Sequence, residues 1–452
     1  MTGMLPVRYR PSKRVKAWAA VLEDATQQMA DLPLYQAFGQ VADVKGPLAR
    51  VEAPDFRVGD MCEFMLGRNR TLLGEVIGLN DGYTLVTPLG PIEGIGKGTL
   101  VRKRAHTFSF PFSDQLLGKV LNGLGEVQGP IKHLGETKPM PVRNAPPDPM
   151  DRAPIDTPLA TGLRVIDSTM TLARGQRIAV VGPPGTGKST LFAAITANVD
   201  VDVVVFGLIG ERGREITEFI TRKIDDETRQ RLVVVAAPAD RPALERLYAA
   251  NTATAVAEGF RDQGKSVLLV VDSLTRVARA IREVGLAAGE PPTRRGYPAS
   301  VFAMLPELIE RPGKAKTGEI TAIYSVLSEG DVSTDPIAEE TRSLVDGHIV
   351  LDADVFAAGR FPAINVNDSL SRLMTEVVDP RHAQLNSELR KIMARYEEIK
   401  LLIQVGEYQR GQDPEADRAA DLYPQVIAFL SQSDMAATPL DETIQRMEEL
   451  LG

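Results

Sequence analysis

The chain has 452 residues, 43% of them hydrophobic and 25% charged, a balance that fits roughly two to four soluble globular domains and excludes a fibrous or disordered protein. Its 52 Lys+Arg against 60 Asp+Glu leave a net charge of −8, which argues against a nucleic-acid binder, although a basic patch can sit on an acidic protein. Cys62 is the only cysteine, so an internal disulfide and a cysteine zinc site are excluded. No apolar run reaches the ~18 residues that cross a bilayer, and the N-terminal segment has no apolar signal core, so a cytoplasmic protein is expected.

Residues 1–37 read as an N-terminal helical arm, with a helix from Lys13 to Met29 and a basic cluster of Arg8, Arg10, Lys13, Arg14 and Lys16 near its start. Such an arm is either a frayed terminus or a docking segment for an acidic partner or a membrane surface. From 38 to 103 the pattern becomes short apolar runs separated by Lys45-Gly-Pro, Val58-Gly-Asp and Asn80-Asp-Gly turns, which predicts a small closed β-barrel or sandwich. The prolines of segment 138–158 predict an extended connector, neither helix nor sheet.

Residues 104–380 read as a central α/β unit in which 160–380 alternate β-rich apolar runs with helical stretches, a pattern that predicts a mostly parallel, covered sheet. The expected strands are Arg177–Val181, Val201–Leu208, Arg231–Ala236, Val267–Val271, Ile320–Leu327 and His348–Leu351. Residues 381–452 read as a helical domain, with helices at Leu385–Val405, Ala416–Leu430 and Leu440–Leu451.

Within the central unit, Gly182-Pro183-Pro184-Gly185-Thr186-Gly187-Lys188-Ser189 fits G-x-x-x-x-G-K-[ST] between an expected strand and a helix, with Thr190 following in the helix. Glycine-rich backbone lets N–H groups converge on phosphate oxygens, and the helix N-terminus adds the positive end of its dipole. Lys188 is expected at the β/γ-phosphates and Ser189 at Mg²⁺. The apolar strand Val267-Leu-Leu-Val-Val-Asp272 ends in a carboxylate suited to the same metal ion. Glu211 follows the strand Val201–Ile209, at the sheet end where open α/β folds bind ligands, and a carboxylate there can orient and polarise water.

Together with Pro362-Ala-Ile-Asn-Val-Asn-Asp-Ser-Leu-Ser371, Gly210-Glu-Arg-Gly-Arg-Glu215, Leu116-Leu-Gly-Lys-Val-Leu-Asn-Gly-Leu-Gly125 and the run Gly285–Phe302, these motifs resemble the hexameric rotary ATPase superfamily. Val405-Gly-Glu-Tyr-Gln-Arg-Gly-Gln-Asp-Pro414 and Phe429-Leu-Ser-Gln432 resemble its type III secretion and flagellar export branch. The resemblance implies an ATPase with Glu211 as catalytic carboxylate and Arg212 beside it near the phosphates. It also implies Arg372 as an arginine finger inserted into the neighbouring subunit's site, and Phe361 against adenine. Arg360-Phe361 stands where that branch more usually has His-Tyr, and Pro183-Pro184 departs from its usual loop.

The function implied is ATP hydrolysis that energises protein export through a type III apparatus, with Mg-ATP sites at the interfaces of a homo-hexameric ring; a flagellar export ATPase is the alternative. The implied partners are a central stalk, a regulator at the N-terminus, export chaperones and secreted proteins, with peripheral attachment at the inner membrane and no nucleic acid. Two rivals stay open, a Rho-like RNA translocase and a non-catalytic nucleotide-binding ring subunit. His106, His133, His348 and His382 lack metal-ligand spacing and read as structural.

Overall fold

The computed structural model describes residues 38–452 apart from 54, 68–69, 81, 106, 130–132, 329–334 and 434–435. The expected Lys13–Met29 helix with its basic cluster, and His106, lie outside these residues.

Six antiparallel strands between Phe38 and Ala105 form a closed barrel. Alternation along each strand sends Val41, Val51, Cys62, Phe64, Val76, Val86 and Val101 into one small core, and closure leaves no exposed sheet edge. Tyr248 and Arg143 join the barrel to the next unit: the Tyr248 hydroxyl lies 3.6 Å from Met61 Sδ, and Arg143 pairs with the buried Glu75.

The central unit is a twisted sheet with helices on both faces. Across the sheet the strands run Ile364–Ser371, Gly347–Leu351, Arg177–Gly182, Glu319–Leu327, Ser266–Asp272, Val203–Ile209, Leu232–Ala237 and Val120–Asn122. Neighbours in this order are parallel except Ile364–Ser371, which returns antiparallel, and the short Gly313–Lys314 pairs antiparallel with Glu319–Leu327 off the main path. Parallel strands covered on both sides read as unbroken apolar runs, and all of Val203–Ile209 is buried. On one face Leu244, Ala253, Val277 and Leu305 seal the sheet. On the other, Leu191 and Phe192 pack together with Leu385, Leu389 and Ile392 of the C-terminal helix Pro380–Val405. Fully burying each such side chain contributes about 1.5–3 kcal/mol.

The proline-rich segment differs from expectation. Lys138–Pro141 is a strand, paired antiparallel with Ser109–Phe112. A two-stranded ribbon is all edge, so Pro139 and Pro141 can direct their missing donors away from the partner. Further on, Pro149–Asp151 forms a single 3₁₀ turn capped by Asp148, and Pro158–Leu159 pairs with Leu172–Ala173.

Three helices end the chain, Pro380–Val405, Pro414–Leu430 and Leu440–Leu451. Asp379 and Asp413 cap the first two N-termini, each followed by proline at the first helical position, where no intrahelical donor is lost. His382 is buried with Nε2 3.3 Å from the Ser168 carbonyl, and His348 Nε2 lies 3.2 Å from Arg342, which gives both rings structural contacts.

Candidate active site

The strand Arg177–Gly182 delivers the loop directly onto the helix Lys188–Asn198. Gly187 caps that helix at φ +83°, a left-handed conformation that costs a residue with a Cβ about 1–2 kcal/mol. Pro183 and Pro184 have no N–H, so the loop's donors come from the residues after them. The Thr186 hydroxyl donates to the Pro183 carbonyl at 2.9 Å, which closes the loop on itself. Lys188 Nζ donates to the Gly182 and Pro183 carbonyls at 2.6 and 3.0 Å, holding its ammonium over the loop. Burial lowers its pKa to about 8, against the opposing pull of Asp272 and Glu211.

Asp272 ends the strand Ser266–Asp272 and is 7% exposed. Desolvation raises its pKa, and the Lys188 and Arg276 charges work against that rise. Glu211 follows the adjacent strand. Its carboxylate sits 3.1 Å from Arg276 Nη2, while Arg276 Nη1 donates to the Gly210 carbonyl. Gly210 has φ +70°, and a Cβ there would lie 2.7 Å from Arg276 Cδ, so glycine permits both the turn and the arginine's approach. Burial, then the Asp272 charge, moves the Glu211 pKa up to about 7, with Arg276 pulling it down. The structure therefore gathers Lys188, Asp272 and Glu211 at the C-terminal ends of neighbouring strands.

Arg212 and Arg372 lie outside this cluster. Arg212 is 82% exposed in its side chain and pairs with Glu215 at 3.4 Å. Arg372 is exposed just past Ile364–Ser371, with Nη2 3.4 Å from the Arg342 carbonyl. Phe361 lines a cavity of about 620 Å³ beside the loop, together with Gly187, Thr190, Phe356 and Gln432.

Sequence reasoning missed Arg276 and Phe356. Arg276 stands in the first turn of the helix that follows the Asp272 strand, and that position is the one available signal. Phe356 is 49% exposed, with its ring 3.7 Å from the point where a Gly187 Cβ would stand. No motif marks it; only the cavity does.

The donor chemistry fits Mg²⁺, a hard cation that binds through one or two protein oxygens together with phosphate oxygens and water. Ser189 presents an exposed hydroxyl and Asp272 a carboxylate, next to a buried Ser273 hydroxyl that has no hydrogen-bond partner. Among the described residues no cluster of three or more His, Cys, Asp or Glu could hold a metal ion by itself.

A phosphate loop, a buried strand-end carboxylate and a second carboxylate held by arginine define a P-loop nucleotide hydrolase. Comparison with known proteins agrees. Residues 162–371 match the nucleotide-binding domain of the ATP synthase alpha/beta family, 41–104 match that family's β-barrel domain, and 378–449 match the C-terminal domain of the type III secretion ATPase EscN. The type 3 secretion system ATPase of Xanthomonas euvesicatoria is 43% identical over 421 residues, covering 93% of this chain and 95% of the relative. The flagellum-specific ATP synthase of Bacillus subtilis (strain 168) is 40% identical, covering 92% and 96%. The assembled ATPase EscN of the enteropathogenic E. coli type III secretion system superposes with a TM-score of 0.88 at 40% identity, covering 92% of this chain and all of that one. EscN in complex with its central stalk EscO gives 0.84 at 39%, again covering 92% and all of the solved chain. The chain belongs to the type III secretion ATPases of the ATP synthase alpha/beta family.

Proposed function

We propose that this ATPase energises protein export through a type III secretion apparatus by hydrolysing Mg-ATP at sites shared between neighbours in a hexameric ring. The observation that carries the reading is the convergence of Lys188, Asp272 and an arginine-held Glu211 on one phosphate loop. In this reading the loop from Gly182 to Thr190 and Lys188 hold the phosphates, and Phe361 packs against the base. Ser189 and Asp272 hold Mg²⁺, whose chemistry is to neutralise charge on the phosphate oxygens. Glu211 accepts a hydrogen bond from the attacking water and turns it in line with the terminal phosphorus. Arg276 fixes the Glu211 carboxylate and favours its ionised form. Arg212, beside Glu211 in sequence, swings from Glu215 towards the phosphates. The exposed Arg372 reaches the neighbouring subunit's site, where it stabilises charge on the transferring phosphoryl group.

The end of the helix Pro380–Val405 exposes Leu401, Leu402 and Val405, an apolar patch that supports a contact with a central stalk; the relative EscN is solved in complex with its central stalk EscO. Export chaperones and secreted proteins are the further partners, with a regulator at the N-terminal arm and attachment at the inner face of the membrane. Among the described residues no helix is long and apolar enough to cross a bilayer, so attachment in this reading is peripheral.

The deciding experiment is Glu211→Gln in the full chain. Nucleotide binding should persist while turnover falls about 10²–10⁴-fold; unchanged turnover would remove Glu211 from this role.

A further inference from the structure

Lys223 is the last residue of Phe219–Lys223, a wide, π-helical turn that continues the helix Gly213–Glu218. Widened turns of this kind recur at functional sites. This one is pinned on both sides. Phe219 is buried against Phe206, ring centroids 4.5 Å apart, and Ile224 is 4% exposed. Arg229 Nη2 donates to the Ile220 and Ile224 carbonyls at 3.0 and 3.3 Å.

From this fixed turn the Lys223 side chain reaches across to the phosphate-loop helix, where Nζ donates to Thr190 Oγ1 at 3.1 Å. Among the described residues that hydroxyl is its hydrogen-bond partner and no carboxylate lies within ion-pair reach. Lys223 is half-buried and its ammonium faces a neutral oxygen with no counter-charge beside it, an arrangement that an anionic ligand completes. By accepting from Lys223, Thr190 keeps its own proton free to donate. Thr190 also lines the cavity that holds Phe356 and Phe361, whereas Lys188 faces Asp272 and Glu211. The two lysines thus approach the loop from different ends.

We propose that Lys223 is a second cationic contact for the nucleotide's phosphate chain, at the end nearest the base. The inference rests on the nucleotide reading above.

The test is ADP binding at equilibrium and steady-state ATP hydrolysis with the full chain and its Lys223→Met, Lys223→Gln and Lys223→Arg variants. Losing one charged hydrogen bond should weaken ADP binding and raise KM for ATP about tenfold. The same loss should leave kcat within about twofold, because the contact is equal in ground and transition states. Lys223→Arg should restore most of the affinity, and added salt should narrow the gap between the native chain and Lys223→Met. Unchanged ADP affinity in Lys223→Met, with or without a lower Tm, overturns the proposal and leaves Lys223 a fold contact. Should that variant not fold, Lys223→Gln gives the same answer. A native chain that binds no ADP at all would instead count against the nucleotide reading itself.

Discussion

Arg311 and Glu258 form an ion pair inside the protein, their side chains 2% and 3% exposed and Nη2 2.7 Å from Oε2. Arg311 Nε donates to the other carboxylate oxygen at 2.9 Å, and Nη1 donates to the Val142 carbonyl and Asn251 Oδ1 at 3.0 Å each. The Asn144 amide completes the carboxylate at 2.7 Å. One guanidinium therefore fastens the proline-rich crossing to the helix Ala243–Arg261.

Removing one partner of such a pair strands the other charge without water. Arg311→Met should cost about 3–5 kcal/mol and lower Tm sharply, whereas the double change with Glu258→Leu should recover part of that loss. Chemical denaturation of the three proteins checks this. A single variant as stable as the parent would show the pair to be dispensable.

Arg276 opposes the upward shift of the Glu211 pKa. Burial and Asp272 already raise Glu211 to about 7, and Arg276 opposes them. Taking the guanidinium away leaves only the raising influences, so less carboxylate is ionised near neutrality. Arg276→Gln should lower kcat at pH 7 by about tenfold and move the acid limb of its pH profile upward. A profile that stays in place would break the link between the two residues.

Phe356 and Phe361 wall the same cavity. Stacking of a base on an aromatic ring is worth about 1–3 kcal/mol, so Phe361→Ala should raise KM for ATP by roughly tenfold with kcat little changed. Phe356→Ala should act in the same direction, and steady-state kinetics on the two variants separates their shares.

Arg372 is exposed, with Nη2 against the Arg342 carbonyl. Arg372→Ala should bind ATP normally and lose about 10³-fold or more in turnover. Specific activity of the native chain should rise with protein concentration as rings assemble. Concentration-independent activity, read by dilution, would argue for a site complete within one chain.

The architecture and the phosphate loop were legible because both are written locally. Val203–Ile209 and Ser266–Asp272 are apolar throughout, and the spacing of the loop glycines follows from backbone geometry. The polar strand Ile364–Ser371, with Asn365, Asn367 and Asp368, carries no such signal; it is a sheet edge set by its partner Gly347–Leu351. Lys138–Pro141 was hidden because proline frequency argues against sheet, while a two-stranded ribbon has free edges for it. Arg276, Phe356 and Lys223 belong to the site by tertiary approach alone. Periodicity in one chain cannot show which side chains meet across elements.

Arg164 carries the last consequence. Its Nε donates to the Phe429 carbonyl at 2.6 Å and its guanidinium also holds the Ser431 carbonyl, while its backbone N–H meets Gln432 Oε1 at 2.8 Å. The cavity beside the loop is thus walled at once by the phosphate-binding unit and by Ser431, Gln432, Ser433 and Ala436, which connect the last two helices. Thermodynamic reciprocity then applies: a load on those helices that favours an open cavity must loosen nucleotide, and nucleotide must resist that load with the same free energy.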